Sequence, residues 1–299
     1  MKFLMVLIVS AFASLSFAGG FQPTRIMNIN GLNIAAYESS GQKGPGILLI
    51  HGNTSAARSY ERVLKSTYAR KHRMVAIDLP GYGLSDNAPQ YNMQLFKSTI
   101  AEAARQLNVD HGVLVGWSLG GDMAFQTMGE LPNLKGVFVF GTVPVGNAPG
   151  LPPAFLTPEE SYAGAAVGYG VVANLSAPQV TDYVTAFFKP NYAPIPQFFF
   201  DMGLRTDPGT RAAVLNVVIG ADPDFSDEVQ LVKNMSIPLA IVHAEQDAFT
   251  RYEYLTGLAP ELPTLWRNQI VTVPNAGHAI HWEQPKRFIK LLKRFIADL

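Results

Sequence analysis

Gly112-Val113-Leu114-Val115-Gly116-Trp117-Ser118-Leu119-Gly120-Gly121 is the stretch that decides the fold. Its apolar first half reads as a buried strand. Gly116-Trp117-Ser118-Leu119-Gly120 then has the Gly-x-Ser-x-Gly spacing of a sharp strand-to-helix turn that lifts the serine Oγ clear of the backbone. The flanking glycines suit a bend where a Cβ would collide with the next turn. Gly121-Asp122-Met123-Ala124-Phe125 offers a small, apolar face for a helix packed on the sheet. A serine at such a helix N-terminus sits beside N–H groups that stabilise an oxyanion. Alone, the pattern also fits an ordinary strand–helix turn; its neighbours along the chain give it weight.

Upstream, Ile47-Leu48-Leu49-Ile50 reads as another short buried strand, ending in His51-Gly52-Asn53. A tight turn there places the N–H of Asn53 opposite that of Leu119, and two donors aimed at one point form an oxyanion hole. His51 reads as an imidazole that braces the loop. Downstream, Ile237-Pro238-Leu239-Ala240-Ile241-Val242-His243 runs into the polar loop Ala244-Glu245-Gln246-Asp247. A carboxylate at this strand end can orient a histidine. Asp247 is the better candidate and Glu245 the fallback. Ile270-Val271-Thr272-Val273 is the last strand, followed by Pro274-Asn275-Ala276-Gly277-His278. His278 is the candidate general base. His281 competes for that role, but Gly277 lets the His278 loop reach the serine. The three parts follow the order Ser118, Asp247, His278.

Around this frame, apolar strands alternate with loops and amphipathic helices. The pattern predicts an α/β architecture: a mostly parallel sheet with helices on both faces. Asn30-Gly31 predicts a hairpin between strands at 25–29 and 32–37. A strand is expected over 70–77, a helix over 94–107, and a closing helix over 283–295 with Pro285 in its first turn. Asp78 reads as a scaffold residue in the Gly/Pro-punctuated loop 78–86. The alternation breaks down over residues 142–228, which are rich in Pro, Gly and aromatics. They read as a mainly helical cap inserted between two core strands, with helices over 178–188, N-capped by Ser176, and over 207–219. The core is then 19–141 and 229–299. The cap holds nine acids and three bases, a balance that discourages anionic substrates.

The chain has 299 residues, 48% of them hydrophobic, enough for one sizeable core plus an insertion. Its formal net charge is +0, so a basic nucleic-acid surface is not expected. Met1-Lys2, an apolar run over 3–15 and Ser16-Phe17-Ala18 form the pattern of a signal peptide over residues 1–18. That predicts an exported protein, periplasmic or secreted, with no stable membrane insertion after cleavage. Cysteine is absent, so no disulfide framework accompanies export. The scattered histidines form no metal-ligand pattern, and the expected chemistry needs neither metal nor cofactor.

The chain resembles the α/β-hydrolase fold family over essentially its whole length after the leader. More narrowly, it is similar to the serine-dependent N-acyl-homoserine lactonases of the quorum-quenching type. The resemblance rests on His51-Gly52-Asn53-Thr54-Ser55, Asp78-Leu79-Pro80-Gly81, the Gly116-to-Gly121 turn, Gly141-Thr142-Val143-Pro144-Val145 and Asn275-Ala276-Gly277-His278-Ala279. It implies a nucleophile at Ser118, a base at His278 and an acid at Asp247. It also implies substrate contacts at Gly52, Asn53 and Trp117, and at Tyr183, which matches a cap tyrosine that closes over the site. The expected substrate is a small ester or lactone with an apolar acyl group. Two other readings are a general carboxylesterase and a non-catalytic binding protein for an apolar ligand.

Overall fold

The computed structural model describes residues 20–299. The expected leader over residues 1–18 lies outside the described residues. Eight strands form one sheet: β1 (Arg25–Ile29), β2 (Leu32–Glu38), β3 (Lys43–Ile50), β4 (His72–Ile77), β5 (Val113–Trp117), β6 (Gly136–Phe140), β7 (Leu239–Ala244) and β8 (Val271–Val273). Their order is β1-β2-β4-β3-β5-β6-β7-β8. The β1–β2 and β2–β4 pairs are antiparallel and the rest are parallel. Asn30 (φ 53°) and Gly31 (φ 81°) make the hairpin turn, and Ile29 pairs with Leu32. Two successive positive φ values are what a twist-matched two-residue turn demands.

The helices are α1 (Glu61–Leu64), α2 (Met93–Gln106), α3 (Leu119–Thr127), α4 (Ala177–Thr185), α5 (Gln197–Arg205), α6 (Pro208–Val218), α7 (Glu228–Lys233), α8 (Tyr252–Leu258), α9 (Ile280–Glu283) and α10 (Pro285–Ala297). Alternate strand residues feed opposite layers. Leu48, Leu114, Val137 and Ile241 pack with α2, α3, α7 and α8. Leu49, Val115, Phe138 and Val242 pack with α1, α9 and α10. Because both faces are covered, the central strands are apolar at nearly every position, and each fully buried aliphatic side chain contributes roughly 1.5–3 kcal/mol. The expected closing helix is α10, which begins at Pro285, and Gln284 (φ −127°, ψ 57°) separates it from the one-turn α9. The residue before a proline is disfavoured in helical conformation, and Gln284 precedes Pro285.

Between β6 and β7 lie a 3-10 segment (Gly164–Val171), α4, α5 and α6. Ser176 caps α4 as expected; its hydroxyl accepts from Gln179 N–H while the Gln179 carboxamide accepts from Ser176 N–H. The chain has rejoined the core by α7, where the Glu228 carboxylate accepts from Gln126 of α3 at 3.1 Å.

Candidate active site

β5 ends at Trp117, and Ser118 adopts φ 53°, ψ −128° before α3 begins. Such a backbone costs a non-glycine residue on the order of 1–3 kcal/mol and persists only when its surroundings impose it. Here they do. Ser118 N–H donates to the Phe140 carbonyl at 3.0 Å, and Gly121 N–H returns to the Ser118 carbonyl at 2.6 Å. A Cβ on Gly116 would overlap the Gly120 carbonyl, and one on Gly120 would overlap the Ile50 carbonyl. The glycines therefore let the elbow press against β3.

His278 follows β8, and its Nδ1 lies 2.9 Å from Asp247 Oδ2. The second Asp247 oxygen accepts from the N–H groups of Phe249 and Thr250 at 2.8 and 3.1 Å. Burial opposes ionisation of Asp247, but the attraction and hydrogen bond of His278 and the Phe249 N–H more than offset it, and hold the carboxyl at about 2. An ionised carboxylate on Nδ1 keeps the proton there and leaves Nε2 as the basic nitrogen. Ser118 and His278 line one cavity of about 260 Å³, together with Asn53, Leu119 and Tyr183. Most of the remaining wall is apolar, including Leu156, Val167 and Phe249. A separate recess bounded by Tyr37, Arg58, Leu84 and Met202 shares no lining residue with it.

Leu119 is the first residue of α3, so its N–H has no partner within the helix. The Asn53 side chain is committed elsewhere. Its amide donates to the Gly170 carbonyl of the cap at 2.7 Å, and its oxygen accepts from Thr54 and Tyr82 hydroxyls, each at 3.2 Å. The main-chain N–H of Asn53 carries none of these bonds. Tyr183 is buried beside Gly170, edge-on to Phe187 and Phe249.

Two expected substrate contacts are not where the sequence put them. Trp117 is fully buried and does not line the cavity. Successive side chains of a strand point to opposite faces, so the residue before the nucleophile is turned away from it. Its indole N–H donates to the His278 carbonyl at 3.0 Å. Gly52 does not line the cavity either; a Cβ there would lie 3.1 Å from the Ser118 Cβ, so its bareness serves packing under the elbow.

The competing residues are also accounted for. Glu245 accepts from Asn275 N–H at 2.9 Å and braces the loop before His278. His281 is buried among Tyr60, Trp117 and Phe140 with both ring nitrogens unpartnered, and burial holds it well below the usual imidazole range. His51 accepts from Leu79 N–H through Nε2 at 3.1 Å while its Nδ1 faces the Gly52 carbonyl, and burial lowers it to about 4. Asp78 accepts from Ala57 N–H, Leu84 N–H and the Tyr37 hydroxyl, the bracing role expected for it.

Asp122, one turn beyond Ser118, was not singled out by its sequence context, an otherwise small and apolar run. It lines the cavity, and Thr142 donates to it at 2.6 Å. Burial raises its carboxyl to about 7, and the nearby Glu228 is raised further by burial and by Asp122 itself.

Residues 47–291 match the alpha/beta hydrolase family. The chain belongs to that family. Among solved structures it is similar to the N-acyl homoserine lactonase AidH complexed with N-hexanoyl homoserine lactone: 26% identity, 92% of this chain and 97% of that one, TM-score 0.82. The AidH complex with N-butanoyl homoserine matches with 26% identity over 92% and 96% of the two chains, also at TM-score 0.82. Among curated proteins, 2-(acetamidomethylene)succinate hydrolase of Mesorhizobium japonicum is 26% identical over 85% of this chain and 88% of that protein. The hydrolase-family order of nucleophile, acid and base is thus met by residues that the fold gathers at the strands' C-terminal ends.

Proposed function

We propose that this hydrolase cleaves the ester bond of an N-acyl-homoserine lactone through an acyl-enzyme on Ser118. The observation that carries the reading is the pairing of a strained serine elbow with a buried Asp247–His278 pair in one mainly apolar cavity. The structural similarity to AidH complexes with a hexanoyl lactone and a butanoyl product supports the substrate class. Ser118 Oγ attacks the ring carbonyl and gives its proton to His278 Nε2. The N–H groups of Asn53 and Leu119 hold the tetrahedral oxyanion, and one such donor is typically worth about 3 kcal/mol of barrier. The ring C–O bond breaks and His278 returns the proton to the departing alkoxide, which becomes the homoserine hydroxyl. Water, activated by the same imidazole, attacks the acyl-enzyme and releases the free acid. Tyr183, beside Asn53, borders the acyl amide.

Incubation with hexanoyl homoserine lactone should give the ring-opened acid, gaining one water by mass spectrometry. Release of hexanoic acid would instead identify amide cleavage. An unchanged lactone alongside brisk p-nitrophenyl acetate turnover would leave a plain carboxylesterase. Neither turnover nor phosphonate labelling of Ser118 would leave a binding protein. We also infer export; a secreted chain whose N-terminus still begins at Met1 would refute cleavage after Ala18.

A further inference from the structure

The catalytic cavity does not end at Ser118. Leu119, Asp122, Phe155, Val214 and Val218 line it and also line a second, narrower recess of about 60 Å³. These five side chains form the boundary, or neck, at which the two adjoin. Beyond the neck the walls are Met93 and Phe96 of α2, Met123 of α3, Val217 of α6, and Phe225. Leu119 and Met123 are four residues apart on α3, so the recess begins about one helical turn, roughly 5 Å, past the nucleophile.

The polar groups facing this recess are already engaged. Thr142 donates to Asp122 at 2.6 Å. Glu228 accepts from Gln126 and from Val145 N–H at 3.1 and 2.9 Å, and Asp222 accepts from Met93 N–H at 2.8 Å. All three are acids, so the recess has no cation to receive an anionic head group. Hydrocarbon loses nothing by entering. Two of the neck residues, Phe155 and Val218, are 44% and 57% exposed, large apolar groups left in water where the two recesses adjoin.

We propose that the second recess holds the distal part of a long unbranched acyl chain, and that the favoured substrates are esters or lactones whose acyl group exceeds six carbons. This rests on the serine-hydrolase reading of the first cavity. Burying one methylene is worth about 0.8 kcal/mol, or roughly a fourfold gain in kcat/KM while the chain is still filling apolar space.

The test is a chain-length series: butanoyl, hexanoyl, octanoyl and decanoyl homoserine lactone, with the matching p-nitrophenyl esters. From hexanoyl to decanoyl, kcat/KM should rise at least about tenfold. Val217→Trp, which fills the recess from α6, should abolish that rise. The decanoyl-to-hexanoyl ratio is the readout, because partial misfolding lowers both rates and leaves their ratio intact. A series flat or falling beyond hexanoyl, or a ratio that Val217→Trp leaves unchanged, overturns the proposal. Calorimetry on Ser118→Ala separates it from the catalytic reading. Tighter binding of decanoyl than butanoyl homoserine lactone, with no turnover of any substrate by the unmodified protein, would sustain the recess and sink the nucleophile. Equal affinity would overturn the recess whatever the turnover.

Discussion

The two sides of the active-site cavity are held by different kinds of bond. On the core side, backbone ties dominate. Ser118 is fixed by the Phe140 carbonyl and by Gly121 N–H, and Asp247 by the N–H groups of Phe249 and Thr250. On the cap side, side chains reach across. Asn53 bonds the Gly170 carbonyl, and Arg211 of α6 donates to the Val172 and Ala173 carbonyls and to Thr54 at 3.4 Å. Backbone ties survive most substitutions, whereas side-chain ties depend on one residue each. The cap's edges are still anchored by main chain, as where Leu156 N–H meets the Phe249 carbonyl at 2.8 Å and Asp207 N–H the Gly81 carbonyl at 2.9 Å, so it is the part of the enclosure over Asn53 that rests on replaceable contacts.

The most severe way to break the core side is Ser118→Ala. Ester turnover should fall by at least about 10⁴-fold with the fold retained, read by initial rates and circular dichroism. A variant with unchanged rates would remove Ser118 from the chemistry. Asp247→Asn should lower kcat by roughly 10³–10⁴-fold with a small change in KM, because the amide no longer fixes the His278 tautomer. Equal damage to KM would point to a distorted pocket instead.

The cap side should yield more gently. Asn53→Ala keeps the main-chain N–H but leaves the Gly170 carbonyl unpaired, at a cost of about 1–3 kcal/mol. Turnover of p-nitrophenyl acetate should drop about tenfold or less, while KM for acylated lactones rises. A loss as large as that of Asp247→Asn would mean that the side chain itself meets the oxyanion.

The smallest effect concerns the neck. Asp122 is raised by burial to about 7, so the folded chain keeps a proton there that the unfolded chain gives up near pH 4. Stability contributed by that proton is full below about pH 4 and is lost as pH rises to about 7. Asp122→Asn should flatten this decline and raise Tm at pH 8 by a few degrees. A Tm that falls equally at pH 4 and pH 8 would show that the carboxyl serves packing alone.

The sequence revealed the core side and little of the other. β3, β5, β6, β7 and β8 are legible because a sheet covered on both faces needs unbroken apolar runs, and the elbow because its glycines have a steric cause. The hairpin was legible in Asn30-Gly31, and α4 in its capping serine. α5 was not, because Phe198-Phe199-Phe200 has no helical period and Pro196 offers no capping side chain. The 3-10 segment at Gly164–Val171 was hidden in small and apolar residues without a polar face. Trp117 was expected at the substrate only from the resemblance, and strand alternation sends its ring to the other face. Asp122 went unmarked since its neighbour Glu228 is 106 positions away along the chain.

Trp117 also links distant parts of the machinery. It is covalently joined to Ser118, and its indole holds the carbonyl of His278, 161 positions onward. A single rigid ring thereby sets the registry between the two, and Phe187 of the insertion backs it, packing edge-on against the indole and accepting from Ala279 N–H at 2.7 Å. Evolution can rebuild the lid where it faces the cavity, changing which molecule is admitted, so long as the Phe187 end that steadies the His278 loop is kept.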